Sequence, residues 1–148
     1  MNLRVCLSVV LALIATTASC TQPAPTVKLG VVANFEGQNP KLSLDCFKSI
    51  KLAYKEYGRR HPDALRLELK PIDDSWDPEK IRTAYKTIID ECDVVFFDTT
   101  STAFLSVYPE VQKHPDKLHF IIGPTTTAIS GLDDNVIRNG IDMNLEQK

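Results

Sequence analysis

Residues 94–104, VVFFDTTSTAF, change character twice in a short space. Four residues of strand character, VVFF, run into Asp98 and then into four hydroxyl-bearing residues in a row. An apolar pattern with helical spacing begins again at Phe104. This order predicts a buried strand, a turn rich in hydrogen-bonding groups and the start of a helix.

A second copy of the arrangement follows: apolar residues 120–122 lead into GPTTTAIS, residues 123–130. In open α/β sheets, ligands sit at the carboxyl ends of strands, where helix N-termini and loop hydroxyls converge. We therefore interpret the two loops as one wall of a small-molecule site.

The rest of the chain alternates between strand and helix patterns. Strands are predicted at residues 27–33, 65–72, 94–97, 118–122 and 136–138. Helices are predicted to begin near Ser43, after Asp77 and near Ser101 or Thr102. This alternation is typical of a parallel sheet with helices on both faces. With the expected strand order 2-1-3-4-5, right-handed crossovers place the first and second helices on opposite faces. We expect a three-layer α/β/α fold with about five parallel strands.

Single residues predict where several of these elements begin and end. Ser43 is the expected N-cap of the first helix, and Gly58 is its expected stop. Asp77 followed by Pro78 is the clearest helix start in the chain. Pro71 cannot donate to a strand ladder, so the second strand is expected at an edge of the sheet.

The cysteines are expected to stay reduced. The N-terminus predicts export from the cytoplasm, as described in the next paragraph, and an oxidising compartment makes a disulfide between Cys46 and Cys92 possible. The predicted topology, however, places Cys46 near the top of the first helix and Cys92 at the bottom of the second. We therefore predict two free, mostly buried thiols.

The N-terminus predicts export. Arg4 precedes an apolar stretch at residues 5–15, and small residues 16–19 precede Cys20. This pattern is typical of a secretory signal over residues 1–19. The end of this signal resembles the lipobox of bacterial lipoproteins, in which Cys20 would be lipidated. Thr17 departs from the lipobox pattern. The alternative is ordinary cleavage of the signal near Ser19. Residues 20–26 are then a polar, Pro-rich tether, and the expected location is the periplasm or cell envelope, anchored through Cys20.

Composition and motifs exclude several classes of function. A formal net charge of -2, without a basic run, gives no reason to expect a nucleic-acid partner. The 3 histidines have no metal-ligand spacing with the cysteines, and neither a phosphate loop nor a nucleophile elbow is present. The Asp73–Asp74 pair follows the second strand, whereas a phosphoacceptor domain needs it after the first. We expect no enzyme activity, cofactor or metal.

Five segments, taken together and in this order, resemble a known family. They are VKLGVVANFEG (27–37), FKSIKLAYKEY (47–57), IDDSWDPEKIRTAYKTII (72–89), FDTTSTAFLSVYPEV (97–111) and FIIGPTTTAISGLDDNVIRN (120–139). The family is that of the type I periplasmic binding proteins of the leucine/isoleucine/valine-binding kind, the solute receptors of ABC transporters. The resemblance implies that residues 27–148 are most of one lobe of a two-lobed protein, truncated relative to the family.

The resemblance also implies a ligand and a partner. By position, Ser101 and Thr102 would be the first pair of contacts to a ligand carboxylate, and Thr125 and Thr127 the second. Helix N-termini with hydroxyl donors stabilise a carboxylate without a buried countercharge. The ligand would be a small molecule such as an amino acid, handed to an ABC permease in the membrane. The competing interpretation is that these hydroxyls only cap helices and close turns.

Two residues depart from the family pattern. Asp98 replaces the usual small residue after the third strand, where its charge would oppose an anionic ligand. Leu42 stands where the amino-acid binders often place an aromatic residue. These departures argue against an ordinary branched-chain amino acid as the ligand. The alternatives to transport are an envelope lipoprotein with a sensory or interaction role and an inactive fragment of a full-length binding protein.

Overall fold

The computed structural model describes residues 24–140. The predicted signal peptide, the lipidation at Cys20 and residues 141–148 lie outside the described part of the chain. Within residues 24–140 no helix is both long and apolar enough to span a bilayer. The elements are β1 (Thr26–Ala33), α1 (Lys41–Arg60), β2 (Arg66–Asp73), α2 (Pro78–Ile88), β3 (Val94–Asp98), α3 (Ser101–Val111), β4 (Leu118–Ile122), a short 3-10 helix (Thr127–Ile129) and β5 (Val136–Arg138).

The five strands form one parallel sheet in the order β2-β1-β3-β4-β5, which confirms the predicted topology. Strand β2, with Pro71, lies at one edge of the sheet as its sequence predicts. The register aligns the last residues of four strands in one row, because Ala33 pairs with Asp73 and Asp98, and Asp98 pairs with Ile122. The loops that follow these strands therefore meet at the same edge of the sheet.

One face of the sheet, which we call the packed face, is covered by α2 and α3. Their apolar stripes join alternate sheet residues in a single cluster whose members include Val32, Ile81, Val95, Phe97, Phe104 and Ile121. The side chain of Asp77 caps α2 by accepting from the N–H groups of Glu79 and Lys80, and Pro78 is the first helical residue. Both features were predicted. Burial of this apolar surface is the main favourable contribution to the free energy of folding.

Helix α1 lies on the opposite face, which we call the α1 face. Successive side chains of a strand point to opposite faces. The Phe97 ring contacts Tyr85 and, edge to face, Phe104 on the packed face, whereas the Asp98 carboxyl lies beside the hydroxyl of Ser43 in α1. The predicted placement of helices on both faces is confirmed.

The boundaries predicted for α1 are wrong at both ends. The helix begins at Lys41, after Pro40, which already has helical backbone angles of φ -68 and ψ -8. Ser43 therefore lies inside the first turn, where it is buried instead of capping. Gly58 does not end the helix, because the N–H of His61 still bonds to the carbonyl of Tyr57. Glycine permits a left-handed stop but does not require one.

Of two smaller predictions, the start of β1 differs by one residue and the free cysteines are confirmed. Strand β1 begins at Thr26, one residue inside the predicted tether, because Thr26 pairs with Arg66 and the Arg66 N–H bonds to the Pro25 carbonyl. Cys46 and Cys92 are both free, as predicted. Cys92 is buried and Cys46 is half-buried, and burial raises the pKa of the Cys46 thiol to about 11.

Candidate ligand-binding site

The loops that follow β3 and β4 lie against each other at the carboxyl edge of the sheet. Gly123, the first residue after β4, has a φ of +96. A Cβ at this position would collide with the Thr99 carbonyl oxygen. Only glycine accommodates both the left-handed backbone and this close approach. The sequence therefore builds the predicted wall from two loops in direct contact.

The structure brings Ser101 and Thr125 together. Ser101 is the first residue of α3, and its Oγ accepts the N–H of Thr125 at 3.1 Å. Both side chains are half-buried, whereas Thr102 and Thr127 are exposed on the same two loops. We call these four residues the hydroxyl clamp.

Different threonines make the capping bonds in these loops. The Thr100 hydroxyl caps α3 by accepting the N–H of Ala103 at 3.3 Å, and the Thr126 hydroxyl accepts the N–H of Ala128 at 3.3 Å. Within residues 24–140 the hydroxyls of Thr102, Thr125 and Thr127 make no hydrogen bond. These three hydroxyls are therefore available to a ligand, beside the N-terminus of an 11-residue helix that favours negative charge.

Asp73 supports the neighbouring loop after β1, a role that the sequence analysis missed. One carboxylate oxygen accepts the N–H groups of Phe35 and Glu36 at 2.7 and 2.9 Å, and the other accepts the Ser75 hydroxyl at 2.6 Å. Partial burial opposes ionisation of Asp73, but these hydrogen bonds outweigh it and hold the pKa of the carboxyl below its usual value.

Asn34 organises the same loop from inside. Its buried amide accepts the N–H of Gly37 at 2.8 Å and donates to the carbonyl of Gln38 at 2.7 Å. A Cβ at Gly37 would lie 2.5 Å from the Asn34 oxygen, so a glycine is required there. An asparagine immediately after a strand, with glycine three residues later, is the sequence signal for this turn.

Asp74, directly after β2, and Asp98, the last residue of β3, are two buried acids, which we call the acidic pair. Asp74 is 0% exposed and Asp98 is 5% exposed. The Asp74 carboxyl lies beside the Thr99 hydroxyl and Asp98 beside Ser43, yet neither contact has hydrogen-bond geometry. Burial raises the pKa of Asp74 to about 6, with smaller contributions from the charges of Asp73 and Asp98, and burial also raises the pKa of Asp98.

Trp76 connects the end of β2 to the end of β3. Its backbone N–H donates to Asp74 Oδ1 at 2.9 Å, and its indole Nε1 donates to the carbonyl oxygen of Asp98 at 3.0 Å. Ser75 and Trp76 both adopt left-handed backbone angles, with φ of 48 and 56. These bonds hold a conformation that is costly for residues other than glycine. Trp76 is thus a half-exposed bridge between the two strand ends.

An open cavity of about 460 Å³ lies beside this bridge. It is lined by Glu36, Gly37 and Gln38 of the loop after β1, and by Ser75, Trp76, Asp77 and Lys80. Lys80 supplies the only ammonium among these lining residues, and its Nζ donates to the Ser75 hydroxyl at 2.9 Å. Across residues 24–140, no cluster of histidine, cysteine, aspartate or glutamate has the arrangement of a metal site.

Comparison with known proteins identifies the fold of the chain. No protein-family model matches the sequence, and no curated protein matches it either. A periplasmic binding protein type 1 from Bordetella pertussis Tohama I superposes with a TM-score of 0.70 at 16% identity, over 79% of this chain and 34% of that one.

Two further solved structures give the same result. An ABC transporter solute-binding protein from Rhodopseudomonas palustris BisB5, in complex with 3,4-dihydroxy benzoic acid, has a TM-score of 0.67 at 18% identity, over 78% of this chain and 32% of that one. A possible leucine/isoleucine/valine-binding protein from Rhodopirellula baltica SH 1 has a TM-score of 0.59 at 22% identity, over 66% and 27%. This chain spans about a third of the length of these structures. Its fold is that of one lobe of a type I periplasmic binding protein.

Proposed function

We propose that the chain is the ligand-binding lobe of an extracytoplasmic solute-binding protein of an ABC importer. The ligand is a small organic carboxylate, such as an amino acid or an aromatic acid, and its carboxylate is held by the hydroxyl clamp. The observation that carries the proposal is the set of three hydroxyls, on Thr102, Thr125 and Thr127, without a hydrogen bond in the described part of the chain. They stand at the carboxyl ends of β3 and β4.

The chemistry of the clamp suits a carboxylate. Hydroxyl groups and the unpaired N–H groups of a helix's first turn donate to negatively charged oxygen, and the helix dipole adds to the attraction. Two of the matching solved proteins carry aromatic acids in their names, 3,4-dihydroxy benzoic acid and 4-hydroxybenzoate. The remainder of such a ligand would extend toward Trp76 and the cavity beside it. The role is binding and delivery, without catalysis.

The proposed partner is an ABC permease, and the proposed location is the periplasm or cell envelope, with Cys20 as the lipid anchor to the membrane. Incorporation of labelled palmitate into the wild-type chain and not into Cys20→Ser is the expected result. Labelling of neither chain would support cleavage near Ser19 instead.

Ligand binding is tested with the full chain and a panel of amino acids and hydroxybenzoates, by titration calorimetry. Hydrogen bonds to a charged group contribute about 1.5–3 kcal/mol each, so we expect Thr125→Ala combined with Thr127→Ala to weaken binding at least tenfold. Thr87→Ala is the matched control, because that exposed threonine lies on α2 and donates only to the Thr83 carbonyl. Unchanged affinity in the double variant would show that the hydroxyls are not contacts, and no binding across the panel would refute the proposal.

An interaction role in the envelope, without transport, is the second candidate. The α1 face favours it, because apolar side chains there, Ile137 among them at 45% exposure, are only partly covered. The two candidates differ in a cell lacking the gene. Loss of uptake of a panel compound favours the importer, whereas normal uptake of every compound favours the interaction role.

A further inference from the structure

The two residues of the acidic pair lie near the loop after β3, which carries half of the hydroxyl clamp. Asp98 precedes Ser101 by three residues, so their Cα atoms are at most about 11 Å apart. Asp74 lies beside the hydroxyl of Thr99, the residue whose carbonyl oxygen approaches Gly123 of the second loop. The pair is therefore close to any charge that the clamp holds.

Each acid keeps one oxygen without a partner. Asp74 Oδ2, Asp98 Oδ2, the Ser43 hydroxyl and the Thr99 hydroxyl are all buried and have no hydrogen bond in the described part of the chain. Each such atom is costly, because a buried polar group without a partner keeps its full desolvation penalty. An added proton on either carboxyl supplies a donor and removes a buried charge.

The titratable and charged groups around the pair come from three elements of the described chain. From α1 the facing groups are Ser43 and the Cys46 thiol, which burial keeps protonated. From the loop after β2 the nearest charge is Asp73, and Lys80 lies 3.9 Å from Asp73. From the loop after β1 the buried group is the neutral amide of Asn34. In residues 24–140 no lysine or arginine forms an ion pair with Asp74 or Asp98.

We propose that the Asp74–Asp98 pair takes up a proton from solvent when an anionic ligand binds at the hydroxyl clamp, so that the site binds carboxylates more tightly in acidic than in neutral solution. The inference rests on the proposed function and adds its regulation. The ligand brings one negative charge and the proton one positive charge, so binding leaves the buried region without additional charge. A ligand without a charge at this end gains nothing from the proton.

The size of the effect follows from the separation. Two unit charges about 10 Å apart, in an effective dielectric between that of a protein surface and that of water, change an affinity about two- to tenfold. We therefore expect the affinity for an anion to fall about two- to tenfold from about pH 5.5 to about pH 7.5. The pKa of about 6 for Asp74 lies inside this interval.

The probe is 4-hydroxybenzoate, titrated calorimetrically into the full chain at several pH values, because its carboxylate stays ionised throughout. Repetition at one pH in two buffers with different heats of ionisation measures proton uptake directly, without any variant. The neutral analogue 4-hydroxybenzamide is the control ligand, and its affinity is expected to be independent of pH.

Variants of the acidic pair test whether these two residues take up the proton when the ligand binds. Asp74→Asn combined with Asp98→Asn is expected to bind 4-hydroxybenzoate with the same affinity at every pH and to take up no proton. The matched control is Asp90→Asn, an exposed aspartate remote from the clamp, which keeps the wild-type pH dependence. Wild-type binding that is flat with pH, or a double variant that keeps the pH dependence, overturns this inference and leaves the proposed function standing. No binding of the probe or of the panel at any pH overturns both.

Discussion

The two faces of the sheet differ sharply in how they are covered. On the packed face, Ile81, Val95, Phe97, Phe104 and Ile121 are each 0% exposed. On the α1 face, a helix of 20 residues contributes one buried residue, Ser43. The packed face therefore supplies most of the buried apolar surface, whereas the α1 face, where Asp98 lies beside Ser43, is only partly covered. The two faces should contribute unequally to the free energy of unfolding.

Because side chains alternate between the two faces along each strand, the sequence shows which apolar side chains lie on the α1 face. Phe96, Phe120 and Ile122 point away from the packed face and are only half-buried, and Ile137 is 45% exposed. In α1, Leu52 is 59% exposed. An apolar stripe in a helical sequence thus shows which side faces the sheet without showing how completely the sheet covers it.

The largest expected effect contrasts two phenylalanines. Phe97→Ala removes a side chain with 0% exposure and leaves a cavity, so we expect a loss of about 3–5 kcal/mol in the free energy of unfolding. Phe120→Ala, on the half-covered α1 face, is expected to cost clearly less because its side chain is already partly in water. Chemical denaturation of both variants measures the contrast. Equal losses would show that the α1 face is as tightly packed as the other.

A buried histidine makes the packed face sensitive to acid. His119 Nε2 lies 3.0 Å from the Tyr85 hydroxyl, and Nδ1 lies 3.0 Å from the Asn135 amide. Burial, then the nearby His114, lowers the pKa of His119 to about 4. The folded pKa lies below the ordinary value of 6.5, so the neutral ring's contribution is complete above about pH 6.5 and is lost as the pH falls toward 4.

We expect that loss to reach about 3 kcal/mol. The stability difference between wild type and His119→Gln, measured by urea denaturation, should therefore shrink as the pH falls from about 6.5 to about 4. A difference that stays constant over this range would show that His119 does not titrate in it.

Asp74 should respond to pH with the opposite sign. Burial raises its pKa from 3.8 to about 6, so the protonated acid favours the folded state below about pH 3.8, and that contribution is lost as the pH rises through 6. Asp74→Asn keeps an oxygen for the Trp76 N–H and removes the charge. We expect it to raise stability by about 2–3 kcal/mol near pH 7.5 and to have little effect near pH 4. Thermal unfolding at both pH values measures this, and a destabilised variant at pH 7.5 would contradict the buried charge.

The smallest expected effect contrasts the starts of two helices. Asp77 accepts two N–H groups at the start of α2, so Asp77→Ala should cost about 1 kcal/mol. Ser43→Ala should cost less or even stabilise, since Ser43 makes no cap and its buried hydroxyl has no hydrogen bond in the described part of the chain. Denaturant midpoints of the two variants decide between a capping and a non-capping Ser43.

Single residues predicted a helix boundary correctly where the residue type strongly favours one position in a helix. Asp77 followed by Pro78 starts α2 as predicted, because proline suits the first helical position and aspartate suits the cap. They failed at Ser43 and Gly58, where serine and glycine tolerate a helix interior and the neighbouring structure decides. At the site, the sequence identified the two hydroxyl-rich loops but did not distinguish the capping threonines, Thr100 and Thr126, from their neighbours. A shift of one residue separates a cap from a free hydroxyl, and only backbone geometry decides it.

The sequence by itself determined the alternation of strands and helices and the two hydroxyl-rich loops that follow predicted strands, because apolar periodicity and turn residues leave few other arrangements. The expected strand order 2-1-3-4-5 is confirmed by the pairing of the strands in the sheet. Only the tertiary structure decided how far each residue is buried. Asp73 and Asp74 are adjacent in the chain, yet hydrogen bonds from the Ser75 hydroxyl and from the N–H groups of Glu36 and Phe35 outweigh partial burial and lower the pKa of Asp73, whereas burial raises that of Asp74. A titration shift depends on neighbours that are distant in sequence, so this difference between two identical residues comes from the folded chain alone.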